Sequence, residues 1–510
     1  MEENKMSKGK EILAILLLTL VIGTGTLAWI VWSSKDNTKM NVTIGDLADV
    51  SFKTGNDINI SNLSPSFYYD DGALTEFSIR KKKGLTTELN TNIYLDITSI
   101  SDELKNDNFK YVLLSSSDGN TYNEVISSSF KDASIGKLSI VTDSPLTDGK
   151  TYYKFYIWID GNNENNETMQ GKSLKGTLNV DVSTPPVNAV TLVEGLDKGE
   201  TGDSGSGVYK VTHSAIPSDS SATGSEIQAV TDYRYYGPNP NNYICLDMEG
   251  GSTCPDKHLY RIIGSIYEEK ENTNRIKVIK ATPLTDGTTS RFSWDYTSSG
   301  SYSNIWATIT SGNYSNSLTS GSQLMKLLNS GAWWNGTSGS YYNNSTTATN
   351  VNFTNYKLSD KAKSYITTSR YYLGGYNNSS GVMTNQFYAY ERGTTRYDTN
   401  RPLYWDGMVG LMYPSDFGYA AGNTCVTGTD PYNYDGGCYQ KDWLNDTSNN
   451  QWLMSPNSGN SSRAFRVGSS GFVNYGNVGN AHSARPVFYL NSSASISEGE
   501  GTSAAPYILS

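Results

Sequence analysis

A long apolar run near the start is the first feature of the hydrophobic pattern. No charged residue interrupts residues 12–32, which as a helix rising about 1.5 Å per residue would cover roughly 30 Å, the thickness of a bilayer core. Lys5, Lys8 and Lys10 precede the run, so the positive-inside rule places residues 1–11 in the cytoplasm. The pattern predicts a transmembrane signal-anchor over 12–32, a single-pass membrane location, and an extracellular bulk. A cleaved signal peptide is the alternative.

Residues 41–184 contain short apolar or alternating runs, which are typical of strands that bury one face. Asp-Gly and Asn-rich turns separate the runs at the spacing expected of a β-sandwich, Ig-like or jelly-roll-like. In the run over residues 152–159 one face is wholly apolar or aromatic, whereas Lys154 falls on the outward face. The predicted strands lie at residues 92–98, 111–115, 152–159 and 176–182.

The next segment, residues 185–228, differs in composition from both of its neighbours. Pro185 and Pro186 close the preceding domain, and Gly, Ser and Asp dominate residues 195–207. Such a composition cannot bury a core, so we predict a flexible linker over residues 185–228.

From residue 229 onward the pattern changes to short apolar runs with helix caps. Ser322 and Ser359 can each cap a helix, and Pro414 can start a third, short one. Strands are predicted at residues 259–266, 275–280, 464–467, 472–473 and 487–490. This pattern predicts an α+β domain over residues 229–510, and with it a multidomain chain of transmembrane helix, all-β sandwich and α+β head.

Composition and charge narrow the possible functions. The 510 residues carry 40 Lys and Arg against 50 Asp and Glu, and the net charge of −10 argues against a nucleic-acid partner. Charged residues make up only 18% of the chain, whereas Tyr alone occupies 37 positions. The polar character comes from Ser, Thr, Asn and Gly instead. Tyr combined with small neutral polar residues is typical of a binding surface.

Cysteine and histidine are scarce, with 4 and 3 residues in the chain. Local pairing of Cys245 with Cys254, and of Cys425 with Cys438, is the simplest of three possible connectivities and predicts two loop-closing disulfides. The close spacing of a zinc site is absent, so we predict neither a metal nor a cofactor. The His residues match no metalloprotease or nucleophile-elbow motif, which favours a protein that is not an enzyme.

Motifs in the tail resemble those of a known fold. They are residues 452–456 (WLMSP), 466–471 (RVGSSG) and 484–487 (ARPV). Their order is similar to the C-type-lectin-like fold, in the branch shared by formylglycine-generating-enzyme-like proteins and the variable proteins of diversity-generating retroelements. The region resembles secreted or surface proteins of gut bacteria of Gram-positive type. Residues 41–184 resemble camelysin and TasA-type β-sandwiches, through the segment from Tyr153 to Asp160.

In the retroelement variable proteins the ligand contacts fall in the corresponding tail, so this resemblance implies a ligand-binding surface here. Amide groups and Tyr rings supply hydrogen bonds and stacking area, while a plain polar surface loop is the alternative. Trp452, Arg485 and Pro486 are interpreted as structural, with Arg485 bonding backbone carbonyls or a carboxylate. The candidate ligand-binding residues are Asn457, Asn460, Arg463, Asn474, Tyr475, Asn477, Asn480 and His482.

Pattern and resemblance together predict a cell-surface anchored, non-enzymatic binding or adhesion protein. Its C-type-lectin-like head would face an extracellular protein or glycan ligand, and the membrane would hold the N-terminal helix. One alternative is a structural subunit of the cell envelope or a pilus. Another is an oxidase of the formylglycine-generating-enzyme-like fold, for which Cys425 and Cys438 lie too far apart in sequence.

Overall fold

The chain folds into two compact units, with the boundary between Pro185 and Pro186. Strands account for 38% of the residues and helices for 14%, so the protein is mostly β. This computed structural model describes residues 40–44, 47–61, 63–85, 88–162, 166–308, 318–445 and 449–510.

The first unit contains two sheets that enclose one core. Its strands are β1 (Met40–Ile44), β2 (Ala48–Phe52), β3 (Asp57–Ile60), β4 (Pro65–Ser66), β5 (Ala73–Lys81), β6 (Asn90–Ile100), β7 (Phe109–Ser116), β8 (Asn123–Ser129), β9 (Gly136–Pro145), β10 (Lys150–Asp160) and β11 (Leu174–Ser183). One sheet has the order β1-β2-β5-β10-β7-β8, with β4 beside β10, and the other has the order β3-β11-β6-β9. Short 3-10 helices occupy Tyr69–Asp71, Asp102–Leu104 and Asn166–Met169.

Alternation along the strands produces the core of the first unit. Phe155 and Ile157 of β10 are buried against Leu95 of β6 and Leu178 of β11, which belong to the opposite sheet. Because successive side chains in a strand point to opposite faces, β10 covers the core with every second residue. Two sheets around one core confirm the β-sandwich that was predicted for this region.

The second unit is built around a ten-stranded sheet. Its path runs β12 (Val187–Asn188), β29 (Ser495–Glu498), β30 (Tyr507–Leu509), β15 (Tyr243–Cys245), β16 (Leu259–Glu268), β17 (Thr273–Lys280), β28 (Val487–Leu490) and β21 (Ile366–Thr367). Beside this path, β14 (Val230–Tyr236) pairs with β16, and β13 (Gly207–His213) pairs with β14. The smaller sheets contain β18 (Phe292–Ser293) with β27 (Ala481–His482), β19 (Ser338–Tyr341) with β20 (Thr349–Asn352), β22 (Ser369–Tyr372) with β23 (Tyr404–Gly407), and β24 (Gln451–Pro456), β25 (Arg463–Val467) and β26 (Val473–Asn477).

Short helices connect these strands. They are α1 (Ala189–Gly195), α2 (Gln323–Asn329), α3 (Ala332–Asn335), α4 (Asp360–Ser364), α5 (Thr384–Glu391), α6 (Pro414–Ala420) and α7 (Asn423–Gly428), with 3-10 helices at Pro431–Gly436 and Cys438–Lys441. Ser322 and Ser359 cap α2 and α4 through their hydroxyl oxygens. The α+β class is nevertheless wrong, because each capped helix ends after one or two turns. Ser330 and Gly331, poor helix formers, follow α2, and the β-forming Tyr365 and Ile366 follow α4.

The predicted membrane anchor also requires correction. Residues 12–32 and the predicted cytoplasmic tail, residues 1–11, lie outside the described residues. Within the described part of the chain, none of the helices is both long and apolar enough to cross a bilayer. The longest, α5, has 8 residues and covers about 12 Å of the roughly 30 Å required. The single-pass membrane location is therefore not supported.

Residues 185–228, predicted as a flexible linker, are folded parts of the second unit. β12 pairs with β29, and β13 pairs with β14 along its whole length. Val193 of α1 is fully buried, and Ile216 and Ile227 pack into the same core. The structure differs from the prediction because apolar residues are scattered among the Gly and Ser residues, and they suffice to anchor the segment to the sheet.

Tryptophan side chains form the centre of the second unit. Trp294, Trp306, Trp405 and Trp452 are each at most 1% exposed. The ring centroids of Trp294 and Trp306 are 5.0 Å apart, and those of Trp294 and Trp452 are 5.9 Å apart, both edge to face. This is the geometry that aromatic pairs prefer, and it places Trp452 deep in the core.

Four buried charges join β14, β17 and α6. Arg234 binds Asp232 at 2.7 Å and Asp416 at 3.0 Å, and Lys277 reaches the other oxygen of Asp416 at 2.5 Å. All four side chains are at most 1% exposed. Burial opposes ionisation of Asp416, but the charges of Lys277 and Arg234 more than offset it, so its pKa lies below the ordinary value. Two cations and two anions thus balance inside the core.

Both predicted disulfides are present. Cys245 pairs with Cys254, and Cys425 pairs with Cys438, each with Cα atoms 5.8 Å apart. Disulfides persist in oxidising compartments, so the pairing fits a protein that works in such a compartment.

Candidate functional site

The candidate site is built on the hairpin formed by β25 and β26. In its antiparallel register Arg463 faces Asn477, Phe465 faces Tyr475, and Val467 faces Val473. Phe465, Val467 and Val473 are at most 1% exposed and fix the hairpin to the core. The turn end of the hairpin, at Val467 and Val473, is therefore buried. The opposite end, at Arg463 and Asn477, is polar and lies at the surface.

An open cleft of about 520 Å³ lies on this surface. We call it the hairpin cleft. Amide, hydroxyl, phenol and guanidinium groups supply its polar side chains, which is a chemistry of hydrogen bonding and stacking. Its lining residues are Asn378, Ser379, Ser380, Tyr432, Arg463, Arg466, Asn474, Tyr475, Gly476, Asn477 and Asn480.

Both arginines of the hairpin cleft lack an acidic partner among the described side chains. The guanidinium carbon of Arg463 lies 5.2 Å from the ring centroid of Tyr475, a cation–π contact. Arg466 is half-buried, and burial lowers its pKa with no carboxylate to offset the effect. The cleft therefore carries positive charge that other described residues do not neutralise.

His482 lies beneath the floor of the hairpin cleft. The residue is 9% exposed, and its Nε2 atom is buried with no hydrogen-bond partner among the described residues. Its ring centroid lies 4.4 Å from that of Trp452. Gly476 separates His482 from the cleft, and a Cβ atom at Gly476 would lie 3.2 Å from His482 Nε2. A side chain at residue 476 would press on both Arg466 and His482, so glycine lets these two residues pack closely against the strand.

The structure brings five of the eight predicted ligand-binding residues together in the cleft: Arg463, Asn474, Tyr475, Asn477 and Asn480. His482 lies below them. Asn457 and Asn460 instead hold the preceding loop together. Asn457 Oδ1 accepts a hydrogen bond from the Gly459 amide at 2.9 Å, and Asn460 Oδ1 accepts one from the Ser462 amide at 2.9 Å.

The sequence did not predict the cleft residues that come from outside the tail. Asn378, Ser379, Ser380 and Tyr432 belong to segments that no motif connected to the tail. Arg466 lay inside a quoted motif but was not selected. One usable signal was present: Asn474 and Asn477 pair with Arg466 and Arg463 once the hairpin register is assumed.

The structural residues of the tail lie in the core. Trp452 Nε1 donates to the Phe292 carbonyl at 2.8 Å. Arg485 Nε donates to the Lys280 carbonyl at 2.7 Å, so it contacts backbone as the sequence suggested. Pro486 accepts from the Lys280 amide at 3.0 Å, which joins the start of β28 to β17.

One other cluster offers possible metal-binding atoms. Asp247, Glu249 and His258 place an oxygen or nitrogen atom each within 4.8 Å of one another. However, Lys257 Nζ binds Glu249 at 2.7 Å, and Ser359 donates to Asp247 at 2.5 Å. The chain itself thus already supplies partners to both carboxylates, and we assign no metal to this cluster.

Acidification should destabilise the second unit through His482. Burial, with the charge of Arg466, lowers the pKa of His482 from 6.5 to about 4. Between these values the unfolded chain binds a proton that the folded chain does not, so stability falls as pH decreases, by on the order of 3 kcal/mol. His482→Gln lacks this titration. The free energy of unfolding, measured in urea at several pH values, should fall less for this variant than for the natural chain as the pH drops from 6.5 to about 4. A pH-independent difference would contradict this assignment.

No family model matches the chain, and no curated protein matches its sequence. The resemblance to C-type-lectin-like and camelysin-type proteins therefore stays a prediction.

Proposed function

We propose that the chain is a non-enzymatic binding protein that holds a glycan or protein ligand in the hairpin cleft. The observation that carries this proposal is the set of side chains on the cleft surface with unused hydrogen-bonding capacity. Arg463, Arg466 and Asn480 make no side-chain hydrogen bond to any described residue. Polar groups that a fold does not use for itself are available to a ligand.

The shape and chemistry of the cleft suit a glycan better than an apolar ligand. Tyr432 and Tyr475 offer ring faces for stacking, and the side-chain amide of Asn480 can both donate and accept hydrogen bonds to sugar hydroxyls. The described lining holds no carboxylate, whereas hydrolysis of a glycosidic bond ordinarily uses two. These features favour binding without chemistry.

Binding should depend on Tyr475. The full chain would be screened on an array of defined glycans and proteins, and the affinity for each hit measured by surface plasmon resonance. Tyr475→Ala removes stacking area and the contact to Arg463, so we expect about 30-fold weaker binding, equal to about 2 kcal/mol. Asn477→Ala should weaken the same hits to a smaller degree.

Tyr397→Ala is the matched control. Arg401 lies 5.1 Å from the Tyr397 ring centroid, so this variant removes an equivalent Arg–Tyr contact outside the hairpin cleft. It should leave binding unchanged. If Tyr475→Ala and Asn477→Ala bind every hit as the natural chain does, the assignment of function to the hairpin cleft is wrong.

A further inference from the structure

A loop of the first unit is fixed to β10 at both of its ends. At one end β4 pairs in parallel with the last two residues of β10, and the Ser66 carbonyl accepts a hydrogen bond from the Gly161 amide at 2.8 Å. At the other end Gly72 passes so close to β10 that a Cβ atom on it would lie 2.4 Å from the Ile157 carbonyl oxygen. Residues 67–71 are therefore held in a defined position against this strand.

Aromatic side chains gather where the loop covers β10. Tyr156 and Trp158 point away from the main core of the first unit and belong to a smaller apolar cluster. The ring centroid of Tyr69 lies 5.2 Å from that of Tyr156 and 6.1 Å from that of Trp158. Next to Tyr69, Phe67 and Tyr68 are 68% and 69% exposed. Neighbouring apolar side chains that a fold leaves in water mark a surface for a partner.

An open cleft of about 420 Å³ lies among these rings, and we call it the aromatic cleft. Its rings come from the three loop aromatics and Trp158, and its polar residues are Asp70, Asp160 and Asn162. The described lining thus combines aromatic faces with two carboxylates and contains no cation.

The two carboxylates differ in their partners. Asp160 Oδ2 binds Lys110 Nζ at 2.6 Å, and Asp160 Oδ1 accepts hydrogen bonds from the backbone and side-chain amides of Asn162. Asp70, which is exposed, and Asp71 beside it form no ion pair with any side chain that the structure describes. The aromatic cleft therefore carries negative charge at its rim that the described part of the chain does not balance.

We propose that the aromatic cleft binds a quaternary ammonium cation such as choline. Aromatic faces attract a cation through the ring quadrupole, and the contact gains most when the cation loses its water. Asp160 already has its partners, so the N–H groups of a primary ammonium would find no free carboxylate beside Trp158. A quaternary cation has no N–H group to satisfy, and Asp70 supplies the opposite charge at the rim. This site belongs to the first unit and does not depend on the function proposed for the hairpin cleft.

The test follows Trp158 by fluorine NMR in the full chain labelled with fluorotryptophan, and Trp158→Phe assigns its signal. Choline should shift this signal saturably. Two analogues are matched comparisons: dimethylbutanol, in which carbon replaces the quaternary nitrogen, keeps the shape without the charge, and ethanolamine keeps the charge but carries N–H groups instead of methyl groups. Each should bind at least about tenfold more weakly than choline.

Tyr68→Ala removes a ring face, and Asp70→Asn removes the unbalanced charge. Each should weaken choline binding about threefold, and the double variant about tenfold. Both side chains are exposed, so the Trp158 signal without choline should keep its position. Tyr397→Ala, at a 46% exposed tyrosine of the second unit, and Asp148→Asn, at a 91% exposed carboxylate beside the opposite end of β10, are the controls and should leave choline binding unchanged.

Several results would overturn this inference. They are a choline response that does not saturate by tens of millimolar, binding of dimethylbutanol or ethanolamine as strong as that of choline, and undiminished binding in the double variant. A response to methyl glucoside equal to that to choline would assign the aromatic cleft to a neutral sugar instead. Binding of phosphatidylcholine vesicles without a response to free choline would indicate a membrane surface and reject the small cation. None of these results bears on the binding of hairpin-cleft ligands in Tyr475→Ala, so the two proposals fail separately.

Discussion

Replacing Asp416 by Asn should destabilise the second unit by about 3–5 kcal/mol, a large part of the stability of a typical domain. Asp416 is the shared partner of Arg234 and Lys277, at 3.0 and 2.5 Å, and all three side chains are at most 1% exposed. An amide of the same shape cannot neutralise them, so two cations would stay buried with the single carboxylate of Asp232. The cost is that of uncompensated charge, not of lost packing.

Chemical unfolding followed by tryptophan fluorescence would measure this effect, because apart from Trp158 all the described tryptophans belong to the second unit. Glu271→Gln is the matched control. Glu271 is 43% exposed and pairs with Arg275 at 3.7 Å, so its loss should change stability by under about 1 kcal/mol. The double variant of Asp416→Asn with Lys277→Met should recover part of the loss, since one unpaired cation is removed. A change below 1 kcal/mol in Asp416→Asn would show that the network does not need its charges.

Trp452→Ala should cost a similar amount, about 3–5 kcal/mol, for a different reason. The side chain is fully buried between Trp294 and His482, so its removal leaves a cavity among rings that cannot close around it. Trp452→Phe keeps one aromatic ring in the core but removes the rest of the indole and its donor to the Phe292 carbonyl. Leaving that carbonyl unpaired costs about 1–3 kcal/mol, so the Phe variant should fall between Ala and the natural chain.

The same unfolding experiment measures these variants. Trp334→Ala provides a comparison, because Trp334 is only partly buried and contacts Lys363 at the surface. It should cost clearly less than Trp452→Ala. Equal losses in the two alanine variants would indicate that Trp452 is no more tightly packed than a surface ring, contrary to its position in the core.

Several elements could be predicted from sequence because their cause is local. The strand β10 follows from alternation, since each buried residue such as Phe155 or Ile157 requires its neighbours to face away. The disulfides follow from short separations between cysteines. Hydroxyl caps at Ser322 and Ser359 also mark helix starts correctly. The lengths of those helices do not follow, because packing into a mostly β unit decides where they stop.

The wrong linker prediction and the incomplete cleft prediction have one physical origin. Composition and spacing describe whole segments, whereas a few individual residues decide what a segment contacts. Composition suggested a loose linker at residues 185–228, yet a few residues such as Val193 and Ile216 are enough to bind it to the core. The cleft could be predicted only along the tail, where Tyr475 and Asn477 lie on one hairpin. Ser379 and Tyr432 come from distant segments, and no spacing in the sequence connects residues that only tertiary packing brings together.

The place of β30 in the central sheet has a consequence for synthesis of the chain. β30 lies between β29 and β15, and Tyr507 pairs in parallel with Ile244. On this side of β15, the partner strand of Ile244 does not exist until nearly all of the second unit has been synthesised. Contacts this distant along the chain form slowly, so a nascent second unit can pair β15 with β16 but leaves the other edge of β15 open until β30 is made. The first unit carries no such delay, because its strands are complete at Ser183 and can fold while the ribosome is still making the rest.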